Sequence, residues 1–373
     1  MRSQASTTDG AKAKFLPIDG PIRVALAGLG AISRFHLSAL QSIPDVTIIG
    51  GCDPDVRRRD FASKRWGIAV YRSVQDLLNA EVPVDVVHIL VPPSRHVEVG
   101  LECLDRGCHL FLEKPMGVSS GECRALAEAA TSSQRIVGIN HNQRWNPAFV
   151  SLLKCAAEGY LGAIKNVAIT YCLDTRLVRG HWASVGKFNS VLELGPHPLS
   201  LVIELLGPVQ EVSAQACHMQ SPSSTAVVSS WTANLVCATG SASCYVSFGD
   251  TCQECSLTVV GEDGSARVDL QRSLFQIWHK SQFSPELDSA FSTLRACGSL
   301  TSQALKNFII YSSKVMGILR TSGDVFSQGM HASVANFYSA LRNGQSAPVG
   351  VRDGEHVVQA CEKVIAALGS SGF

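Results

Sequence analysis

The sequence predicts an α/β protein of two domains: a doubly wound parallel sheet, then an α+β domain with a large, mainly antiparallel, open-faced sheet. Three observations predict it. From Pro21 onward short apolar runs alternate with amphipathic ones, the rhythm of a parallel sheet with crossover helices. The first run, Arg23 to Ala27, enters the tight turn Gly28-Leu29-Gly30 and then a stretch of helical spacing from Ala31 to Gln41. After Pro147 the texture changes, and from Val209 to Leu270 strand-like runs follow one another. A chain of 373 residues also exceeds what one hydrophobic core ordinarily supports.

Taken in order, residues 1–20 read as a disordered tail, residues 21–143 as a dinucleotide-binding domain and residues 144–373 as a substrate and oligomerisation domain. Strands of the first domain are expected at Arg23 to Ala27, Val46 to Cys52, Val84 to Val91, His109 to Glu113 and Ile136 to Asn140. Each is bounded by Gly, Pro, Ser or Asp. Between them, Pro92-Pro93-Ser94 opens a helix that Ser94 can cap, that Val97, Leu101 and Leu104 space, and that Gly107 can end. In the second domain one helix runs to about Glu158, and Asn189 to Leu206 reads as another. Thr239-Gly240 joins a hairpin, and Gly261 to Gly264 makes the next turn. Residues 273–328 read as a helical insertion in which Leu305, Phe308, Ile309, Val315, Met316 and Leu319 form one apolar face. Three readings fit that face: an oligomer contact, a lid over the substrate, or a membrane-surface helix.

Composition narrows the chemistry. Lys plus Arg number 32 against 31 Asp plus Glu, so no long-range field exists to hold nucleic acid. No window approaches the ~18 uninterrupted apolar residues of a membrane span. Thirteen cysteines without a small disulfide scaffold, and an N-terminus without an apolar core, fit a reducing cytoplasm. Cys252-Gln253-Glu254-Cys255 lacks a second pair or a His at zinc spacing, so no metal site is expected and the cysteines read as small buried hydrophobes.

A strand, a glycine turn and a helix form a dinucleotide site of the Rossmann type: Gly28 permits the turn, and Gly30 lets the backbone approach a pyrophosphate. The following helix start, with Ala31 and Ile32, lends positive potential. Ser33 stands at the third glycine position. Asp53 ends the second strand, where a carboxylate takes the ribose hydroxyls and repels a 2′-phosphate; NAD is therefore expected over NADP. Arg57-Arg58-Arg59 is either a phosphate-neutralising group or a solvated helix face.

The runs ALAGLGAIS, GGCDPD, VVHILVPPSRH, HLFLEKPMG and NHNQRWNPAF together resemble the glucose–fructose oxidoreductase, inositol dehydrogenase and rhizopine catabolism family, Gfo/Idh/MocA. The resemblance covers roughly Pro21 to Leu206 and continues more weakly through the second sheet to a final helix around His331 to Arg342. It implies oxidation or reduction of a secondary alcohol or ketone on sugars, sugar nucleotides or cyclitols, with NAD(H) or NADP(H). The family's catalytic lysine matches Lys114 within Glu113-Lys114-Pro115. Its acid and histidine match Glu193 and His197, with Glu in place of the usual Asp. Lys114 and His197 then carry proton transfer and Glu193 orients them.

Further cofactor positions implied are Pro92, His96, Glu113, Asn142, Arg144 and Trp145; substrate positions are Asn140, Arg179, His181 and Trp182 beside the catalytic residues. Arg144 and Trp145 fit two readings equally, holding the nicotinamide half or pinning the hinge. The resulting expectation is an NAD-dependent dehydrogenase or ketoreductase that acts on a carbohydrate-like small molecule and assembles as a dimer or tetramer. Two alternatives stay open: an NAD-retaining glycosidase that works by transient oxidation, and a non-catalytic NAD-bound regulatory protein.

Overall fold

The computed structural model describes residues 15, 17–174, 182–184, 186–220, 226–249, 251–279, 284–315 and 324–370, with backbone alone at 285, 286 and 313–315. The first domain alternates strand and helix: β1 (Ile22–Ala27), α1 (Ser33–Leu40), β2 (Val46–Cys52), α2 (Val56–Trp66), β3 (Ala69–Tyr71) and α3 (Val74–Leu78). It continues with β4 (Val86–Ile89), α4 (His96–Asp105), β5 (His109–Glu113), α5 (Ser120–Ser132) and β6 (Val137–Asn140). All six strands are parallel in the order β3-β2-β1-β4-β5-β6. The order reverses between β1 and β4, so a crevice opens at the C-terminal ends of those strands, where ligands bind in open α/β sheets.

Sequence chemistry sets the helix starts. Asp55 accepts Arg57 N at the start of α2, and Ser119 accepts Glu122 N at the start of α5. Ser94, expected as a cap, instead lies inside a 3-10 turn at Pro93–Arg95, and α4 starts at His96 without a side-chain cap.

The second domain contains α6 (Pro147–Ala157), β7 (Ile164–Leu173), α7 (Asn189–Leu194), α8 (Pro196–Leu206), β8 (Val209–Gln220), β9 (Val227–Cys237) and β10 (Ser241–Phe248). There follow β11 (Glu254–Gly261), β12 (Gly264–Asp269), β13 (Leu274–His279), α9 (Pro285–Val315), α10 (Val325–Arg342) and α11 (Val351–Ser370). Its seven strands run β13-β12-β11-β7-β10-β9-β8, antiparallel except for β7 with β10. Period-two patterning turns Val167, Ile169 and Tyr171 toward α6, α7, α8 and α11, while Ala168 and Thr170 face outward.

Four features depart from the sequence expectation. The expected helix over Asn189 to Leu206 divides at Gly195, because Pro196 and Pro198 have no N–H to donate. The segment 273–328 is not wholly helical, since β13 adds a strand to the sheet before α9 begins. Arg342 ends α10 but not the helices, because α11 follows and packs on α5, α8 and β8. Finally, α10 returns to the first sheet: Met330, Val334, Phe337 and Tyr338 join Ile22, Val24 and Phe111 in one core. A boundary at residue 143 therefore cuts across this packing. Phe15 N donates to Gly344 O at 3.0 Å, and Phe15 and Ile18 lie against the same core, whereas residues 1–14 and 16 of the expected tail fall outside the described residues.

Candidate active site

The crevice begins at the glycine turn. Gly28 has φ +101° and a Cβ there meets Leu90 O at 2.6 Å, so only glycine fits. At Gly30 nothing lies nearer to a Cβ position than Arg58 Nη1 at 3.8 Å, which leaves the turn open to a close-lying phosphate. Ser33 explains the missing third glycine: it is buried, and its hydroxyl donates to Gly30 O at 2.5 Å, tightening the start of α1.

The Asp53 carboxylate, 3 % exposed, accepts Leu29 N at 2.9 Å, Asp55 N at 2.9 Å and Arg58 Nη1 at 3.3 Å. It is thereby fixed at the edge of a cavity of about 330 Å³ lined by Gly28, Arg58, Arg72, Pro92 and Arg95 among others. Arg58 is therefore part of the nucleotide cleft and not simply a solvated helix face. A larger hollow of about 620 Å³ lies at the other end of the strands, beside His109 and Arg135. The Rossmann geometry assigns the ligand to the smaller one.

The strand end of β5 carries the second part of the site. Lys114 Nζ donates to Glu193 O at 2.8 Å and to Glu193 Oε1 at 3.2 Å, linking the first domain to α7. An ammonium has three hydrogens, so one stays available. His197, in the first turn of α8, is half-buried, with its Nδ1 out of reach of solvent, and stacks on Tyr171 with ring centroids 5.5 Å apart. Burial pushes its imidazole well below the ordinary histidine range, and the charge of Lys114 adds to the push, so it stands neutral beside that lysine. His141 is held down to about 3, by burial first and then by Arg144.

Polar atoms without partners gather here. His197 Nδ1, both ring nitrogens of His141, Asn140 Oδ1 and Trp145 Nε1 are buried and have no hydrogen-bond partner among the described residues. Buried polar groups are normally satisfied, so this concentration fits a polar guest. Open backbone at Gly30, a fixed acceptor at Asp53 and these unpaired donors and acceptors suit a nicotinamide dinucleotide and a hydroxylated substrate.

The comparisons agree. Residues 22–141 match the family described as an oxidoreductase family with an NAD-binding Rossmann fold, Gfo/Idh/MocA, and residues 149–267 match its C-terminal domain. The chain belongs to the Gfo/Idh/MocA oxidoreductase family. It is 28 % identical over 191 residues to an uncharacterized oxidoreductase, YdgJ, of Escherichia coli, covering 50 % of this chain and 54 % of that protein. It is 25 % identical over 209 residues to a scyllo-inositol 2-dehydrogenase (NADP(+)), IolW, of Bacillus subtilis, covering 55 % and 57 %. The chain thus spans about half the length of these curated relatives. In fold it is similar to the WlbA dehydrogenase of Bordetella pertussis, solved with NADH and UDP-GlcNAcA. That likeness has TM-score 0.76 and 20 % identity, over 95 % of this chain and 98 % of that one.

Within this family framework, other expected positions take different parts. His96 is turned inward, its Nδ1 2.7 Å from Pro115 O and its Nε2 2.8 Å from Val91 O, so it ties two turns together and has no nitrogen left for a cofactor. Arg144 reaches Glu204 and Asp353, both at 2.8 Å, and Ser200 O at 3.2 Å, while its Nη2 is buried with no partner among the described residues. Asn142 is buried in a 3-10 turn with its carbonyl against Gly329 of α10. Ala31 is exposed and Ile32 precedes α1. Trp182 packs on the second core, and Asn189 Nδ2 donates to its carbonyl at 3.1 Å. Arg179 and His181 lie outside the described residues.

Glu113 faces inward. Its Oε1 accepts Asn140 Nδ2 at 2.6 Å and lies 2.8 Å from His36 Nε2. His36 Nδ1 meets His88 Nδ1 at 2.8 Å, and His88 Nε2 meets the Tyr338 hydroxyl at 2.9 Å. Sequence reasoning missed His36, His88 and Tyr338, because isolated polar residues in apolar runs give no local signal of a partner. Cys217, Cys252 and Cys297 are exposed, so the buried-hydrophobe reading fails for those three. Among the described residues no group of three His, Cys, Asp or Glu is placed to hold a metal, and no helix is long and apolar enough to cross a membrane.

Proposed function

We propose that this protein is an NAD-dependent oxidoreductase acting on a secondary alcohol or ketone of a sugar, sugar nucleotide or cyclitol. The observation that carries the reading is the Lys114 ammonium, fixed by Glu193 and flanked by two neutral imidazoles with buried, unpartnered nitrogens. Bound NAD supplies hydride acceptance and donation at its nicotinamide ring; Gly30, Asp53 and Trp145 are the residues to hold it.

Lys114 directs its remaining hydrogen at the substrate oxygen and favours the alkoxide-like charge that develops there. His197, neutral through burial, takes the hydroxyl proton at a ring nitrogen in oxidation and returns it in reduction. Glu193 is a positioning residue for Lys114. The hinge held by Arg144, Glu204 and Asp353 keeps the two halves in register.

The test is a redox screen of purified protein with sugars, sugar nucleotides and inositols, read at the reduced-nicotinamide absorbance band beside Lys114→Ala. A signal lost in the variant supports the reading. Free sugar released without net reduction of NAD favours the glycosidase alternative, and absence of nucleotide affinity overturns both.

A further inference from the structure

The helix α9 leaves large apolar side chains exposed. Over its 31 residues, about 46 Å at 1.5 Å per residue, the half-buried side mixes Ala296, Leu300 and Ile310 with Ser292, Gln303 and Asn307. Gln303 Oε1 accepts Phe275 N at 2.8 Å and Gln303 Nε2 donates to Phe275 O at 2.7 Å, while Asn307 Nδ2 donates to Arg272 O at 2.9 Å. These bonds seal the free edge of β13 and fix the helix about its own axis. Six large apolar side chains nevertheless keep about half or more of their surface exposed: Leu287, Phe291, Leu294, Leu305, Phe308 and Ile309 are 47–69 % exposed.

Their order along the helix says what covers them. Leu287, Phe291 and Leu294 recur at alternating four- and three-residue steps, the rhythm continues through Gly298 and Thr301, and it resumes with Leu305 and Phe308. That is a 3.5-residue seam, small in the middle, and from Phe291 to Phe308 it reads alike in either direction. Laid antiparallel on a copy of itself about an axis between Ser299 and Leu300, the seam matches size with size. Phe291 meets the partner's Phe308, Leu294 meets the partner's Leu305, and Gly298 meets the partner's Thr301.

We infer that α9 is a two-fold contact between two copies of this chain, formed as an antiparallel helix pair. The exposed apolar side chains amount to on the order of 700 Å² per copy, close to the roughly 800 Å² that each partner contributes to a stable interface. An isologous contact of this kind closes on itself and leaves no edge for further growth. A lipid surface fits less well. Arg295, Lys306 and Lys314 are the helix's basic residues, set against Glu286 and Asp288, which is not the basic polar face of an interfacial helix.

Register can be tested with Cys297, which is exposed. In the antiparallel pair it faces the partner's Ala304. Within one chain these positions are two turns apart, about 10.5 Å along the helix axis, beyond the roughly 7 Å that a disulfide spans. In a background of Cys217→Ser and Cys252→Ser, Ala304→Cys should give a disulfide-linked dimer on mild oxidation, and adding Cys297→Ser should abolish it. Separately, Phe291→Glu with Phe308→Glu should halve the mass seen by light scattering, with the circular dichroism of the wild type retained. No cross-linked dimer, or an unchanged mass in the double variant, overturns the proposal. Wild-type flotation with phosphatidylglycerol vesicles that the double variant loses also overturns it, in favour of a lipid contact.

Discussion

Replacing Asp53 by serine should turn nucleotide preference toward NADP, and the geometry sets the size of the change. The carboxylate is buried at the edge of the cleft and paired with Arg58 Nη1 at 3.3 Å. A 2′-phosphate placed there meets a like charge; at about 4 Å and an effective dielectric near 20 the repulsion is roughly 4 kcal/mol. The Arg58 side chain is 54 % exposed, so its own attraction for a phosphate is screened to about 1 kcal/mol or less.

Asp53→Ser removes the repulsion and frees Arg58, while NAD loses charge-assisted bonds to its ribose hydroxyls worth about 1.5–3 kcal/mol. With screening by solvent, the NADP-to-NAD preference should rise by roughly 3 kcal/mol, on the order of 100-fold. Calorimetric titration of both nucleotides against wild type, Asp53→Ser, Arg58→Ala and the double variant measures it. Arg58→Ala alone should leave NAD binding near the wild-type value, and it should erase part of the gain in the double variant. An unchanged preference in Asp53→Ser, or a full gain without Arg58, refutes the reasoning. Melting curves separate this from instability, since Leu29 N loses its acceptor at a cost of about 1–3 kcal/mol.

Three further outcomes are expected. Lys114→Ala should lower turnover by on the order of 10²–10⁴ while NAD titration stays close to wild type, and Lys114→Arg should not restore it. Gly28→Ala should cost at least about 1–3 kcal/mol of stability and abolish nucleotide binding, since its φ of +101° and the 2.6 Å approach to Leu90 O leave no room for a methyl group; a normal melting temperature with normal NAD affinity would count against the turn geometry. Burial pushes the Asp353 carboxyl up, but Arg144, the Gly350 amide and His141 outweigh it and hold it below its ordinary 3.8. A depressed carboxyl stabilises the fold above its unfolded value and loses that contribution as pH falls through the folded one. The stability gap between wild type and Arg144→Met, followed by denaturant titration, should therefore stay constant near neutral pH and narrow below about 3.8; a gap flat down to strong acid would contradict the ion pair.

What the sequence disclosed follows from how locally each feature is encoded. Central parallel strands are buried on both faces, so β1 after Arg23 and β5 between His109 and Glu113 read as apolar runs. By contrast β3, with one exposed and two half-buried residues, is too short to show any period. Gly28, Gly30 and Asp53 were legible because a turn and a strand end fix their spacing. The role of Arg144 was not, since Glu204 and Asp353 reach it from α8 and α11, far along the chain. α11 carries its own helical signal in Val357, Cys361, Val364 and Leu368, but the glycine- and proline-containing turn after Arg342 resembles the close of the domain.

The buried chain behind Glu113 shows how far hydrogen-bond accounting goes once the fold is known. Burial pushes the Glu113 carboxyl up, yet His36, Asn140 and Lys114 outweigh it and hold it below the ordinary range. As a carboxylate it only accepts, so His36 Nε2 donates. His88 is kept neutral by burial, so one of its nitrogens donates and the other accepts. If His88 Nδ1 donates to His36 Nδ1, then the Tyr338 hydroxyl donates to His88 Nε2 and every hydrogen has an acceptor. In the reverse order the Tyr338 hydrogen is left buried without a partner among the described residues, at a cost of about 1–3 kcal/mol. Nitrogen NMR of the histidines should therefore find the proton of His88 on Nδ1 and that of His36 on Nε2, and Tyr338→Phe should lower stability by about 1–3 kcal/mol. A proton on His88 Nε2 would reverse the chain's polarity. The arrangement ties a residue of α10 to the charge beside Lys114, so the helix that closes the first domain also fixes the electrostatics of the site.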